Sequence, residues 1–244
     1  MEFVNVYEDS RRAESYAKLG LPGTYYLAYR DLPKIISSTV KGNRALDFGC
    51  GTGRSTRFLQ ELGFQTISLD ISRDMIRQAR QLDPEGEYRL VDDGDLSYWK
   101  DQTFDLILSV FTFDNIPTID KKVILFREMS RIMNREGKIV SLVSSPDIYQ
   151  NEWASFTTRE FPENKQAKSG DKVKIIITDV EDQRPVEDIL CTDEEYHKVF
   201  QKAGLEVVRI YRPLGNIQEP FPWVSETRIS PWVIYVLNKH SFIE

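Results

Sequence analysis

Residues 45–57, Ala-Leu-Asp-Phe-Gly-Cys-Gly-Thr-Gly-Arg-Ser-Thr-Arg, constrain the fold of this 244-residue chain more than any other stretch. Ala45 through Phe48 form a short apolar run interrupted by one acid, Asp47. Gly49, Gly51 and Gly53 follow at alternate positions, and Arg54, Ser55 and Thr56 open a helix. Glycine lacks a Cβ and reaches positive φ freely, so the loop turns tightly and lets a ligand approach bare backbone. The first N–H groups of the helix face the same space without helical partners. A strand, a glycine-rich turn and a helix in succession predict an α/β sheet with a binding crevice at its strand ends.

Such a crevice suits a nucleotide-like cofactor, and Asp47 separates two kinds. A dinucleotide brings a pyrophosphate, whose negative charge a carboxylate at the strand end would repel. S-adenosylmethionine (SAM) has no phosphate but carries a sulfonium and an ammonium, for which Asp47 is an attractive partner. The pattern Asp-x-Gly-x-Gly-x-Gly, here Asp47, Gly49, Gly51 and Gly53, resembles motif I of the class I SAM-dependent methyltransferases. An ordinary glycine-rich turn is the plainer alternative. The resemblance implies SAM as cofactor and S-adenosylhomocysteine (SAH) as product. It places Asp47, Gly49, Cys50, Gly51, Thr52, Gly53 and Ser55 around the cofactor.

Composition narrows the partners. Hydrophobic residues make up 41% of the chain, enough to build a core. A net charge of −6 argues against nucleic acid, whose phosphates call for clustered Lys and Arg. No apolar run reaches the ~20 residues that span a bilayer, so no membrane partner is expected. The first residues carry no signal-peptide core, and two distant cysteines, Cys50 and Cys191, suit a reducing compartment. The expected location is the cytoplasm. His197 and His240 are the only histidines; no zinc-ligand spacing exists and no metal is expected.

Residues 1–40 read as two helical segments, one over 9–19 and one opening at Pro22 that Pro33 kinks or divides. Tyr25 and Tyr29 lie one turn apart and share a face. With Tyr26 and Arg30, that region either packs on the domain or closes over the site as a lid. From Gly42, strands at 44–48, 65–69, 88–91, 104–111 and 137–143 alternate with helices, the rhythm of a parallel sheet. The fourth strand is nearly continuous in apolar residues, as a strand covered on both faces is. Phe58, Leu59 and Leu62 mark the apolar side of one helix, and Met75, Ile76, Ala79 and Leu82 that of the next. A third, over 120–133, turns Val123, Ile124, Met129, Ile132 and Met133 inward.

Residues 144–190 break the rhythm with prolines, scattered aromatics and one strand-like run at 173–180; a segment this long is seldom a plain loop. It reads as a small cap inserted after strand five. Thr192 and Glu195 form a capping box that opens a further helix. Strands at 205–211 and 232–237 then pair antiparallel. The predicted fold is a Rossmann-like, seven-stranded, mostly parallel α/β sheet with helices on both faces and an antiparallel last strand. Its parts are a helical lid over 1–40, a core over 41–143 and 191–244, and the cap over 144–190.

That layout also resembles the class I methyltransferase core, and the resemblance implies roles by position. Asp70, closing strand two, takes the ribose hydroxyls with its paired oxygens, and Ile71 flanks the adenine. Within Asp92, Asp93, Gly94 and Asp95, the pair Asp93–Gly94 is the preferred match to the acid that accepts the adenine amino group, and Asp95 is the alternative. After strand four, Phe111 and Phe113 either pack on the cofactor and acceptor or belong to the core. Asp114 and Asn115 present polar groups to the substrate. Cys50, with no histidine near it in sequence, reads as a small filler of the loop rather than a nucleophile. Methyl transfer from a sulfonium is an in-line displacement that needs a base only where the acceptor must lose a proton. Asp114, Tyr25 and Tyr7 are the candidates for that role. Tyr26, Tyr29, Phe113, Asn115 and Trp153 are the expected substrate contacts.

The acceptor is approached by elimination. The Asn-Pro-Pro-Tyr-type signature of amino-group methylation on nucleobases and glutamine is absent; Phe-Asp-Asn-Ile stands there instead. A cap rich in Trp, Phe and Tyr suits a small, partly apolar or ring-containing molecule, methylated on nitrogen or oxygen, with carbon ranked last. Residues 41–239 most resemble the small-molecule branch that includes ubiquinone- and menaquinone-biosynthesis methyltransferases. The expected assembly is a monomer or homodimer with a small-molecule substrate. Two rivals stand beside this reading. A SAM-binding regulator without catalysis is disfavoured by the complete motif I and the substrate-sized cap. An NAD-dependent oxidoreductase is disfavoured by Asp47 and by the lack of a hydride-relay His or Tyr-x-x-x-Lys.

Overall fold

A computed structural model describes residues 13–15, 17, 20 and 23–240. The candidate base Tyr7, Pro22 and much of the helix expected over 9–19 lie outside the described residues. In chain order the elements are α1 Thr24–Arg30, α2 Leu32–Thr39, β1 Arg44–Phe48, α3 Arg54–Glu61, β2 Gln65–Asp70, α4 Arg73–Leu82 and β3 Glu87–Leu90. They continue with β4 Phe104–Val110, α5 Ile119–Ile132, β5 Met133–Ser144, β6 Phe156–Thr157, β7 Lys172–Ile177 and β8 Val186–Ile189. The last are α6 Asp193–Lys202, β9 Leu205–Tyr211 and β10 Trp232–Lys239.

Seven strands form one sheet in the order β3-β2-β1-β4-β5-β10-β9, and β6-β7-β8 form a second, antiparallel one. The first five of the large sheet are parallel, whereas β10 runs antiparallel to both β5 and β9. This is the predicted seven-stranded, mostly parallel architecture. Chain order reverses between β1 and β4, so their crossovers leave on opposite faces and a crevice opens beyond their carboxyl ends.

Both faces of the sheet are buried, which is why its central strands read as continuous apolar runs. Leu106 and Leu108 of β4, Val140 and Leu142 of β5, and Ile234 and Val236 of β10 share one core with α1, α2 and Leu59 of α3. Ile107, Ile139, Val233 and Tyr235 point the other way, into a core with α5 and α6. Each such side chain contributes about 1.5–3 kcal/mol on burial. The helical periodicity misplaces three residues. Ile124 is 52% exposed, Leu82 47% and Leu62 37%. Ile124 adjoins the buried Val123, and one residue of helix rotates a side chain by about 100°, enough to leave the apolar stripe. Met133 is buried but begins β5 rather than ending the helix.

Pro33 divides the N-terminal helical region as expected, standing in the first turn of α2, where its missing N–H costs nothing. Ser72 caps α4 by accepting from the Met75 N–H, and Thr192 caps α6 by accepting from the Glu195 N–H. One tie was not legible beforehand. Glu226 is fully buried; its Oε1 accepts from Thr24 Oγ1 (2.6 Å) and the Ala154 N–H (2.7 Å), and its Oε2 from the Val224 and Ser225 N–H groups. It joins α1, the segment after β5 and the long connection before β10.

Candidate active site

A cavity of about 470 Å³ occupies the crevice and runs from the glycine loop to the small sheet. At the loop, Gly49, Gly51 and Gly53 have φ of +76°, +53° and +80°. A Cβ on Gly49 would overlap the Thr112 side chain, whereas one on Gly51 would meet open space. Thus the first glycine lets the loop close on the end of β4, and the second leaves the backbone bare toward the cavity. The Gly49 and Cys50 N–H groups donate to the Leu69 carbonyl at 2.8 and 2.9 Å. The Gly51 N–H donates to Asp70 Oδ2 and the Ser72 N–H to Oδ1, both at 2.8 Å. Asp70 therefore pins the loop to the end of β2 while lining the cavity, and burial pushes its carboxyl above the usual range.

Asp47 is placed differently from the expectation. It is fully buried beneath the loop and is not part of the cavity wall. Its Oδ2 accepts from the Ser55 and Thr56 hydroxyls, both at 2.7 Å, while Oδ1 has no partner. Burial pushes its carboxyl up to about 6, and the nearby Asp70 adds to the rise. Asp47 thus positions the start of α3, whose Arg54 and Ser55 do line the cavity. A buried acid with an unused acceptor, beside the half-buried Asp70, makes this end of the crevice electronegative. That arrangement fits a cationic ligand and opposes a pyrophosphate.

Two non-glycine residues at the rim lie in the left-handed region, Asp93 at φ +47° and Phe111 at φ +61°. Such backbone costs about 1–3 kcal/mol and persists where the surroundings over-determine it. Asp93 pairs with Lys121, and the buried Gly94 beside it would bring a Cβ against Leu125 and Phe48. Phe111 heads the 3₁₀ turn Thr112–Asp114. In such a turn, side chains three apart eclipse, so Phe111 and Asp114 both reach the cavity. Phe113 points away, 0% exposed and stacked 4.0 Å from Phe126 in the core.

At the far end, four rings from four segments meet. Tyr25 of α1 lies 6.1 Å from Phe111, 5.0 Å from Phe156 of β6 and 6.0 Å from Trp232 of β10. Trp232 donates its indole N–H to the Thr24 carbonyl, fixing α1 over the sheet. The Arg54 guanidinium stands 5.8 Å from the Tyr25 ring centre. Asp114, Ser144, Tyr149 and Asp188 supply polar atoms here, among Ile175, Ile177 and Val186 of the small sheet.

Of the residues expected from sequence, the cavity gathers Gly49, Cys50, Gly51, Thr52, Ser55, Asp70, Ile71, Asp93, Gly94, Phe111, Asp114, Asn115, Tyr25 and Tyr29. It does not gather Asp47, Gly53, Asp95, Tyr26, Phe113 or Trp153. Gly53 is the N-cap of α3. Asp95 is exposed and accepts from Ser97 in its own turn. Tyr26 leaves the shared face of Tyr25 and Tyr29 and packs 4.9 Å from Phe221. Trp153 donates to the Ile148 carbonyl within the 144–190 segment. Arg30 turns to Asp31, Glu219 and the Leu214 carbonyl. Cys50 is buried with its thiol pushed up, as a filler would be.

Sequence reasoning gave no site role to Arg54, Ser144, Tyr149, Asp188 or Trp232. Asp188 did leave a signal. It stands two residues after Val186 on β8, so a carboxylate occupies the apolar face of a strand. Among the described residues, no group of three or more His, Cys, Asp and Glu is placed to hold a metal ion. No described helix is long and apolar enough to cross a membrane.

Residues 46–141 match a family described as a methyltransferase domain. An uncharacterised methyltransferase of Bacillus cereus is 28% identical over 138 residues, 55% of this chain and 64% of its own, so the chain spans less than two thirds of that relative. A SAM-dependent methyltransferase from Clostridium acetobutylicum is similar in structure, with a TM-score of 0.63 at 15% identity over 93% of this chain and 94% of its own. The CcbJ methyltransferase from Streptomyces caelestis gives 0.67 at 15% identity over 96% and 98%. At that identity the two structures speak for the fold, and the sequence match speaks for the segment that builds the glycine loop. Residues 46–141 are thus similar to a methyltransferase domain, and they sit in a fold shared with SAM-dependent methyltransferases of known structure.

Proposed function

We propose that this protein transfers the methyl group of SAM to a nitrogen or oxygen of a small, partly apolar or ring-containing molecule. The observation that carries the reading is one cavity joining the glycine loop to the aromatic rings around Tyr25. Its volume of about 470 Å³ falls in the range of small-ligand sites. Gly49 through Thr52 and Ser55 would hold the amino-acid end of the cofactor, with Arg54 opposite its carboxylate. Asp70 and Ile71 would take the ribose and flank the adenine, and Asp93 with Gly94 would meet the adenine edge.

Bound there, SAM supplies a methyl carbon already activated by a positively charged sulfur. The chain's own work is then to align the acceptor and keep water out. Tyr25, Phe111, Phe156 and Trp232 do the second by walling the far end with rings. Asp114 is the candidate base, buried yet on the cavity wall. In this reading α1 and α2 act as a lid and residues 144–190 as a substrate cap. The protein acts in the cytoplasm as a monomer or homodimer on small molecules, with no part for nucleic acid, membrane or metal.

Calorimetric titration with SAH and with NAD, followed by incubation of the protein with methyl-labelled SAM and a metabolite extract, tests this. The expected result is SAH binding, silence toward NAD and label in a small organic product. NAD binding in place of SAH would refute the cofactor. SAH binding without transfer to any metabolite would favour a regulator.

A further inference from the structure

The far end of the cavity holds a charge arrangement that the proposed transfer does not by itself require. Asp114 and Asp188 are 5% and 7% exposed and both line the cavity, among Ile175, Ile177 and Val186. Asp114 accepts from the Ser144 N–H (3.2 Å to Oδ1, 3.1 Å to Oδ2) and from the Ser144 hydroxyl (2.8 Å). Asp188 Oδ2 accepts from the Tyr149 hydroxyl at 3.0 Å. This carboxylate is more than nine-tenths buried and sits in the cavity wall.

The groups that face the pair can be named element by element. Lys122 of α5, fully buried, donates to the Phe113 carbonyl and lies within electrostatic reach of both acids. Glu187 of β8 acts on Asp188 from the outer face of its strand, and Cys191 and Tyr196 feel the acids as neutral groups. Two buried carboxylates therefore confront one buried ammonium. Were both acids ionised, at least one negative charge would be left over, since burial also disfavours the charged form of Lys122; an unpaired ion in apolar surroundings costs several kcal/mol. Burial raises both acids, Asp114 to about 7 and Asp188 to about 6, so the ligand-free pair holds on to protons that a cation could replace.

We infer that the acceptor is a basic amine on an apolar body, its nitrogen held by Asp188 and Asp114, which also take its proton. This rests on the methyltransferase reading and narrows it. An ammonium brings a positive charge and several donors to the two carboxylates; an alcohol brings one donor and no charge, and an acid would be repelled. The chemistry balances. The ammonium N–H proton passes to an aspartate oxygen, leaving a neutral amine with its lone pair. That pair forms the N–C bond to the methyl carbon as the C–S bond breaks and its electrons stay on sulfur. The product leaves as a methylated ammonium, and the aspartic acid proton returns to solvent.

The test uses SAH-loaded protein with matched probes, phenethylamine and tryptamine against 2-phenylethanol and tryptophol, titrated calorimetrically. Each amine is expected to bind at least tenfold more tightly than its alcohol, and Asp188→Asn to remove that preference while SAH affinity stays within threefold. Equal binding of amine and alcohol, binding of neither series, or an amine preference that survives in both Asp188→Asn and Asp114→Asn would overturn the inference. Failure of the wild-type protein to bind SAH would instead defeat the cofactor reading beneath it.

Discussion

The two ends of the cavity are built in opposite ways. The glycine end comes mostly from one short stretch, Phe48 to Ser55, closed by Asp70 and Ile71 from the neighbouring strand end. Hydrogen bonds from the Gly49, Cys50 and Gly51 N–H groups hold its shape. The far end draws Tyr25, Phe111, Tyr149, Phe156, Asp188 and Trp232 from segments spread over most of the chain. Side chains make its walls, and single long-range ties such as Glu226 and the Trp232–Thr24 bond hold them in place. A local site survives as a unit when distant parts change. An assembled one depends on every segment, and it is where relatives with one fold can part in substrate.

The largest effect should come from Trp232→Ala. Losing the ring that touches Tyr25, Phe111 and Phe156 is expected to cost about 3–5 kcal/mol in denaturant unfolding. SAH affinity should fall far less than stability does. Equal losses in both would break the contrast between the ends. Gly49→Ala should do the reverse. The overlap with Thr112 and the positive φ lower stability by about 2–3 kcal/mol and abolish SAH binding in calorimetry. Retained binding would show that the loop tolerates a side chain at its first glycine.

Asp70→Ala removes the acceptor for the Gly51 and Ser72 N–H groups and is expected to weaken SAH binding at least thirtyfold, about 2 kcal/mol. Asp47→Ala should weaken it less, because Asp47 acts through Ser55 and Thr56 rather than from the wall. The reverse ranking would restore Asp47 as a direct contact.

The smallest effect concerns pH. Asp47, Asp114 and Asp188 have native values raised to about 6, 7 and 6 by burial. A raised carboxyl stabilises the fold when protonated, fully below its unfolded value, and loses that stability as pH rises through the native one. Ligand-free protein should therefore lose stability between pH 5 and pH 8 in denaturant melts, less the opposing contribution of the lowered Lys122 amine. Asp114→Asn should flatten this slope more than Asp47→Asn does, since Asp114 is raised further and faces a second buried acid. An unchanged slope would remove the buried charge surplus from consideration.

How much of this was legible beforehand follows the same division. The strand boundaries at Arg44, Gln65 and Leu205, the cap at Thr192 and the break at Pro33 were readable, because each depends on neighbours within a few residues. Phe113 and Phe111 were not separable, since it is the three-residue period of the 3₁₀ turn after Phe111 that sends one to the core and the other to the cavity. Tyr26, Trp153 and Asp95 have the right chemistry in the right neighbourhoods, yet each found a nearer partner in Phe221, Ile148 or Ser97.

By itself, the sequence determined the alternation of strand and helix, the crevice at the glycine loop and its electronegative character. Periodicity and backbone freedom are properties of contiguous residues, and so are the charges they carry. Tertiary structure alone decided that Asp47 lies beneath the loop rather than in the wall, and that Asp114 and Asp188 share one apolar chamber with Lys122 nearby. Burial and the pairing of charges depend on which segments meet, and that is settled only when the whole chain packs.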